Sequence, residues 1–327
     1  MRILFITSNR IGDAVLSTGG LAWMLDAFPM ARVTVACGPA AAGLFEAVPR
    51  LETLLVMRKR PYSLHWLDLW RRVAFTRWRA VADLRGSATA YLVPTCRRFV
   101  LAAARPDRHK VRQVQTSFRL SEPPAPRLWS GDAHRRQAAA ALPTGGPVLA
   151  LAPTANWIGK QWPADRFVAL ARELTAPGGI LPGARVAVFG AAAERDAAAP
   201  VLAALDPSRT IDLVGRTDLL TAYECLRRCA LFVGNDSGLM HIAASSGVPT
   251  LGLFGPSRDE WYAPWGPNTQ VVRTDLSYRD IVATPGYDYR LKRSWMESLA
   301  VEKVARAAIA LFARSADAAP AKTGEGA

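Results

Sequence analysis

The chain has 327 residues, half of them hydrophobic, with 41 Lys and Arg against 27 Asp and Glu, a formal net charge of +14, and only four cysteines. Such a length accommodates two α/β domains of roughly 100–200 residues each. It offers no secretory signal, because the apolar stretch 3–6 falls short of a core of about 7–15 residues, and no run of the ~18 apolar residues that a membrane span requires. In chain order, 2–7 predicts a strand and 13–27 a helix whose broad apolar face carries Leu16, Leu21, Met24 and Leu25, with Phe28 just beyond. Further strands are expected at 32–37, 53–57 and 79–84. Residues 61–79 combine tryptophans with arginines, and Leu67, Trp70, Ala74 and Trp78 fall at helical spacing. The spacing reads as a helix packed on its sheet, with a membrane-interface helix as the alternative. Apolar runs that do not alternate, separated by helices, require parallel strands covered on both faces.

Residues 121–147 break this rhythm with Pro123, Pro124, Pro126, Pro143, Gly145, Gly146 and Pro147, which marks a domain junction. A second series then begins: strand 148–152, helix 163–174, strand 185–189, helix 194–205, strand 210–213, helix 219–229, strand 231–233 and helix 239–246. A last helix is expected at 301–312, followed by a small, polar and disordered tail at 313–327. The expected organisation is therefore a first Rossmann-like domain at 1–145, a second at 146–290 and a C-terminal helical segment at 291–312. Two consecutive doubly wound domains would face a central cleft at the carboxyl ends of both sheets, where ligands bind in such folds.

Cys37, Cys96, Cys225 and Cys229 lack CxxC spacing, and the four histidines are scattered. Reduced buried thiols and the absence of a metal site are the expectation, in a soluble intracellular protein. The positive charge is unevenly distributed. Residues 1–145 carry 22 basic and 9 acidic side chains, a net +13, whereas the remainder carries 19 and 18, a net +1. A basic half concentrates polyanions and anionic membranes in a salt-dependent way. Nucleic acid is not expected, since no helix-turn-helix, RNP or zinc-finger spacing accompanies the charge.

The most informative stretch is Phe232-Val233-Gly234-Asn235-Asp236-Ser237-Gly238-Leu239-Met240-His241. A strand, a glycine-containing polar turn and a helix start together aim backbone N–H groups and a positive dipole end at one place, where an anion can sit. Together with the following Gly-Val-Pro-Thr-Leu-Gly-Leu-Phe-Gly-Pro-Ser of 247–257, this stretch resembles the donor-site signature of glycosyltransferase family 9, the ADP-heptose:lipopolysaccharide heptosyltransferases. The resemblance runs along nearly the whole chain. Only locally does it depart, where Trp295 stands for the Cys of a Cys-Met pair. It implies a GT-B architecture and an inverting transfer of heptose from ADP-heptose to the lipopolysaccharide inner core.

Residue by residue, the resemblance assigns roles. Asp13 in Arg10-Ile11-Gly12-Asp13 would be the general base, although a carboxylate at a helix start is also what the dipole favours. Gly12 lets the acceptor approach the backbone. Lys160, in Lys160-Gln161-Trp162-Pro163, would meet the donor's diphosphate, with Thr154 and Asn156 as polar contacts on the same loop. Glu194 would hold donor hydroxyls, Thr217 would line the base pocket, and Asp236, Ser237, Gly238 and His241 would form the strongest donor set. Arg58, Lys59 and Arg60 would face an anionic glycolipid acceptor at the cytoplasmic membrane surface. No metal and no resident cofactor are expected, as no paired acidic motif occupies a suitable loop. Three other readings stay open. One is the same fold with another nucleotide sugar, for a different surface glycan. Another is a non-catalytic sugar- or glycolipid-binding protein. The third, a nicotinamide oxidoreductase, is disfavoured by the single glycine, Gly12, in the first turn.

Overall fold

The computed structural model describes residues 1–102 and 108–317. By its contacts the chain divides into two units, the first built mainly from 1–143 and the second mainly from the described residues after 143. In the first unit β1 (Arg2–Ile6), α1 (Ile11–Ala27), β2 (Arg32–Cys37), β3 (Leu51–Val56), α2 (Leu64–Val73), β4 (Ala80–Asp83), β5 (Arg98–Val100), α3 (Lys110–Phe118) and α4 (Asp132–Ala141) follow one another. The sheet is entirely parallel in the order β3-β2-β1-β4-β5. The chain therefore winds first to one side of β1 and then to the other. Strand β1 is buried from Ile3 to Ile6 and β4 along its whole length, as expected for strands covered on both faces.

Helix α1 begins at Ile11, so Asp13 lies within its first turn. Gly19 on this helix is required by close approach: a Cβ there would come within 2.2 Å of the Pro124 carbonyl oxygen. The Arg127 amide donates to Thr18 Oγ1 at 3.0 Å, so the proline-rich junction lies along α1. The apolar stripe of α2 differs from the expected one. Leu69 and Val73 are buried and Trp66 and Trp70 pack beside them, a spacing of 3, 1 and 3 residues, while Leu67 is 40% exposed. Trp78 is buried but lies past the helix end, in a bridge to Thr95.

The second unit contains β6 (Val148–Ala152), α5 (Ala164–Thr175), β7 (Arg185–Val188), α6 (Arg195–Ala204) and β8 (Thr210–Asp212). Next comes α7 (Leu219–Leu226), most of which packs with the first unit: Thr221 Oγ1 donates to Gln137 Oε1 of α4 at 2.8 Å. Strand β9 (Leu231–Asn235), α8 (Gly238–Ser246) and β10 (Thr250–Phe254) return to the second unit. The short α9 (Asp259–Tyr262) lies in a second excursion, 258–265, to the first unit, and β11 (Thr269–Arg273), α10 (Tyr278–Ala283) and α11 (Val301–Asp317) complete the second. Its sheet is also all parallel, in the order β11-β10-β9-β6-β7-β8. Helix α11 extends five residues past the expected Phe312, so 313–317 are helical rather than tail. The rest of the expected tail, 318–327, lies outside the described residues.

The excursion 258–265 is fastened by His109, which caps α3 and accepts from the Val111 amide at Nδ1, 3.2 Å. That acceptor role puts the proton on Nε2, which donates to the Ala263 carbonyl at 2.9 Å, and the ring lies 4.7 Å from that of Trp265. Burial, aided by nearby Arg112 and Lys110, holds the His109 pKa below its ordinary value of 6.5. Between its folded pKa and 6.5 the unfolded chain binds the proton and the folded chain does not, so folding stability is lost as pH falls through this window. Urea midpoints taken at about pH 7.5 and about pH 5.5 should therefore drop on acidification in the wild type, and drop less in His109→Gln. Equal slopes for the two proteins would remove His109 as the source.

Candidate functional site

In each sheet the strand order reverses at one place, and loops leaving adjacent strands there diverge to leave a crevice. In the second unit that place lies between β6 and β9. From β6 the chain enters 153–163, which contains Thr154, Asn156 and Lys160; from β9 it enters the turn to α8, which contains Asp236, Ser237 and Gly238. Lys160 Nζ sits 2.5 Å from Asp236 Oδ2, an ion pair between side chains 76 residues apart in sequence. The Asp236 side chain is 6% exposed and that of Lys160 23%, so the ammonium occupies the rim of the pair.

Helix α8 starts at Gly238 with Ser237 as its N-cap residue, yet no side-chain bond caps the helix, and Ser237 Oγ has no hydrogen-bond partner among the described residues. Its first-turn N–H groups and dipole end thus lack the usual hydroxyl cap, next to a lysine. His241, in the second turn, is 3% exposed. Thr154 is buried, and its hydroxyl donates to Glu194 Oε2 at 3.0 Å, an oxygen that also receives the Ala191 amide at 2.9 Å. Asn156 is exposed on the same loop, and Thr217 opens the 217–225 segment, which belongs to the first unit.

Sequence reasoning gave no role to the residues that fix the loop. Asn235 is fully buried, accepts from the Trp162 amide at 3.1 Å and donates to the Pro153 carbonyl at 2.8 Å. Trp162 is buried as well and donates from its indole to the Leu299 carbonyl at 2.8 Å. From the segment before α11, Ser294 Oγ donates to the Gln161 carbonyl at 2.6 Å and the Trp295 amide to that of Gly159 at 3.1 Å. Gly255, at the end of β10, is needed here, since a Cβ would come within 2.3 Å of the buried Met296 Sδ. Lys160 is therefore carried on a loop fixed from both sides.

The equivalent place in the first unit lies between β1 and β4. Gly12 and Asp13 are half-buried in the first turn of α1, and Asn9 precedes them. Asp83 ends β4 fully buried; burial pushes its pKa above the usual carboxylate value, opposed by bonds from Ser87 Oγ at 2.5 Å and the Arg85 amide at 2.9 Å. Arg85 then donates to Asn9 Oδ1 at 3.0 Å, which ties the β4 loop to the β1 loop. Asp83 and Arg85 were not singled out from sequence; the available signal was a carboxylate closing an otherwise apolar strand. Arg58, Lys59 and Arg60 are exposed on the loop after β3, and Arg60 pairs with Asp68 at 2.5 Å.

Asn235→Ala would leave the Trp162 amide and the Pro153 carbonyl buried without partners, at about 1–3 kcal/mol for each group. Unfolding free energy should fall by about 2–4 kcal/mol, read by urea denaturation. A loss within 0.5 kcal/mol, roughly what an inert surface change costs, would show that Asn235 does not hold the loop.

A family model for glycosyltransferase family 9 (heptosyltransferase) matches residues 97–284. Lipopolysaccharide heptosyltransferase 2 of Salmonella typhimurium is 32% identical over 139 residues, 41% of this chain. The chain spans 38% of that relative's length in this match. Among solved structures, the Escherichia coli ADP-heptose lipopolysaccharide heptosyltransferase II is similar over 97% of this chain and 100% of its own, at 21% identity and a TM-score of 0.73. The E. coli heptosyltransferase WaaC with ADP is similar over 95% of this chain and 100% of its own, at 18% identity and a TM-score of 0.69.

Proposed function

Because the chain belongs to glycosyltransferase family 9, the heptosyltransferases, and folds as two GT-B-type α/β units, we propose that it is an inverting glycosyltransferase moving heptose from ADP-heptose to the lipopolysaccharide inner core. The observation that carries this reading is the start of α8: a helix end without a side-chain cap, beside the Lys160–Asp236 pair. Such an end suits a nucleoside diphosphate, whose charge needs oriented N–H dipoles and a nearby cation rather than a proton. Thr154 and Glu194, already joined, would receive sugar or ribose hydroxyls, with Asn156, His241 and Thr217 as further donor-side contacts. No resident metal or cofactor is part of the proposal.

In the transfer step, the acceptor hydroxyl oxygen attacks the anomeric carbon while Asp13 accepts its proton. The bond from that carbon to the diphosphate breaks on the opposite face, so configuration inverts and ADP departs with the electron pair. Lys160 and the α8 amino terminus offset the charge that develops on the departing phosphate. On the acceptor side, Gly12, Arg58, Lys59 and Arg60 would receive an anionic glycolipid, with the protein at the cytoplasmic face of the membrane and no nucleic-acid partner. Charge supports this assignment, as the first 145 residues carry a net +13.

Asp13→Asn should keep the fold and donor affinity but lower kcat by roughly 10²–10⁴, the usual worth of a positioned base. A kcat within about threefold of wild type, which is ~0.7 kcal/mol in barrier, would take Asp13 out of the mechanism.

The two substrates are separable by KM in metal-free buffer. Lys160→Ala should raise the donor KM by roughly 5–100-fold, as expected for losing one charge-assisted contact of about 1–3 kcal/mol. Arg58→Gln with Lys59→Gln should raise the acceptor KM alone and flatten its salt dependence. Donor turnover that strictly requires Mg²⁺, or equal responses of both KM values to each variant, would overturn the assignment.

A further inference from the structure

Among the described residues no helix is long and apolar enough to cross a membrane. Contact with lipid would therefore have to be made from a surface, and one surface of the first unit is built for it. Helix α2 turns Trp66, Leu69, Trp70 and Val73 onto its sheet, so its outward face carries Leu64, Asp68 and Arg71, with Leu67 and Arg72 on the flanks. Tyr62, just before the helix, is 96% exposed and Phe75, just after it, 93%. These are large apolar side chains at the two ends of one helix, about 15 Å long at 1.5 Å per residue, with neither covered by the fold.

The backbone holds Tyr62 in that position. Tyr62 and Ser63 have φ of 52° and 59°, the left-handed region that a bulky residue rarely enters, in a sequence that offers no glycine there. A strained pair kept at the foot of a helix, with its aromatic ring in solvent, points to a role outside folding.

Charge identifies the partner. Between residues 56 and 77 the basic side chains are Arg58, Lys59, Arg60, Arg71, Arg72 and Arg77, and the one acidic side chain is Asp68. Asp68 is taken by Arg60. Arg71, Arg72 and Arg77 are exposed and make no ion pair among the described residues. Isolated apolar side chains standing among unneutralised cations match the boundary between anionic headgroups and acyl chains. A nucleic acid would be served by the arginines but not by Phe75, Leu64 or Leu67.

We propose that Tyr62, Leu64, Leu67 and Phe75, ringed by Arg71, Arg72 and Arg77, form a docking face that inserts shallowly into an anionic bilayer. This deepens the membrane-surface part of the proposed function and rests on it for its biological setting. Its physical basis is the face itself.

Flotation of the full chain with phosphatidylcholine vesicles, with and without phosphatidylglycerol, tests it in the absence of nucleotide sugar and acceptor. The wild type should float only with the anionic vesicles and be released by salt. Tyr62→Ser with Phe75→Ser, which leaves net charge unchanged, should weaken binding on the order of tenfold or more, because two interfacial aromatics are lost. Arg71→Gln with Arg72→Gln should weaken it by a similar factor. Tyr62→Trp with Phe75→Trp should restore or strengthen it, which separates docking from a folding defect. Failure of the wild type to float, or wild-type flotation of the Tyr62→Ser/Phe75→Ser protein, overturns the docking face. Either result leaves the transfer reaction standing, since that is read by the Asp13 variant with a soluble acceptor fragment.

Discussion

Two hydrogen bonds made by one buried side chain set the geometry of the second unit. Asn235 closes β9 and reaches across to the neighbouring loop, one amide atom taking the Trp162 N–H and the other serving the Pro153 carbonyl. The Pro153 carbonyl lies where the chain leaves β6 and the Trp162 amide just before α5, so their alternative is an unmet polar group in a low-dielectric interior. The loop consequently has one satisfied arrangement. Trp162 is driven into the core beside Phe167, with ring centroids 5.0 Å apart, and two residues earlier Lys160 is delivered to Asp236. A mobile cation becomes a placed one.

The two switch points handle charge differently. In the second unit the Lys160 ammonium and the Asp236 carboxylate offset one another, so the pair carries little net charge beside the uncapped dipole end of α8. In the first unit Asp83 is buried with no cation bonded to its carboxylate oxygens among the described residues; neutral donors from Ser87 and the Arg85 amide stand in, while the Arg85 guanidinium turns to Asn9 and lies 5.7 Å from the Trp66 ring. Burial dominates there and favours the protonated acid. One polar chain thus links the ends of β1 and β4 to the helix whose other face looks outward.

What was legible in the sequence follows from what buried parallel strands must be. Strands β1, β2, β6 and β9 lie inside their sheets, covered on both faces, and appear as predominantly apolar runs. Strands β5 and β11 were not read: they are edge strands, half-buried, and carry Arg98 or Gln270 and Arg273 among few apolar residues. The stripe of α2 was read one register away, since Leu67 and Ala74 match the helical period as well as Leu69 and Val73, and only packing on the sheet selects between them. The turn between β9 and α8 was legible because a strand, a glycine turn and a helix start are local. Asn235 stood within the same motif, but nothing in a sequence tells whether a polar side chain there turns toward a ligand or into the core.

The segment before α11 has a consequence for synthesis of the chain. Residues 153–163 are made early in the second unit, but the carbonyls and side chains that clamp them, at 294–299, come more than 130 residues later. Translation proceeds at about 5–20 residues per second, so for some seconds on the ribosome Trp162 has no carbonyl for its indole and the space over Gly255 has no Met296. The loop that carries Lys160 is thus present in sequence before it is present in shape, and throughout that interval the Trp162 ring lacks part of what later covers it.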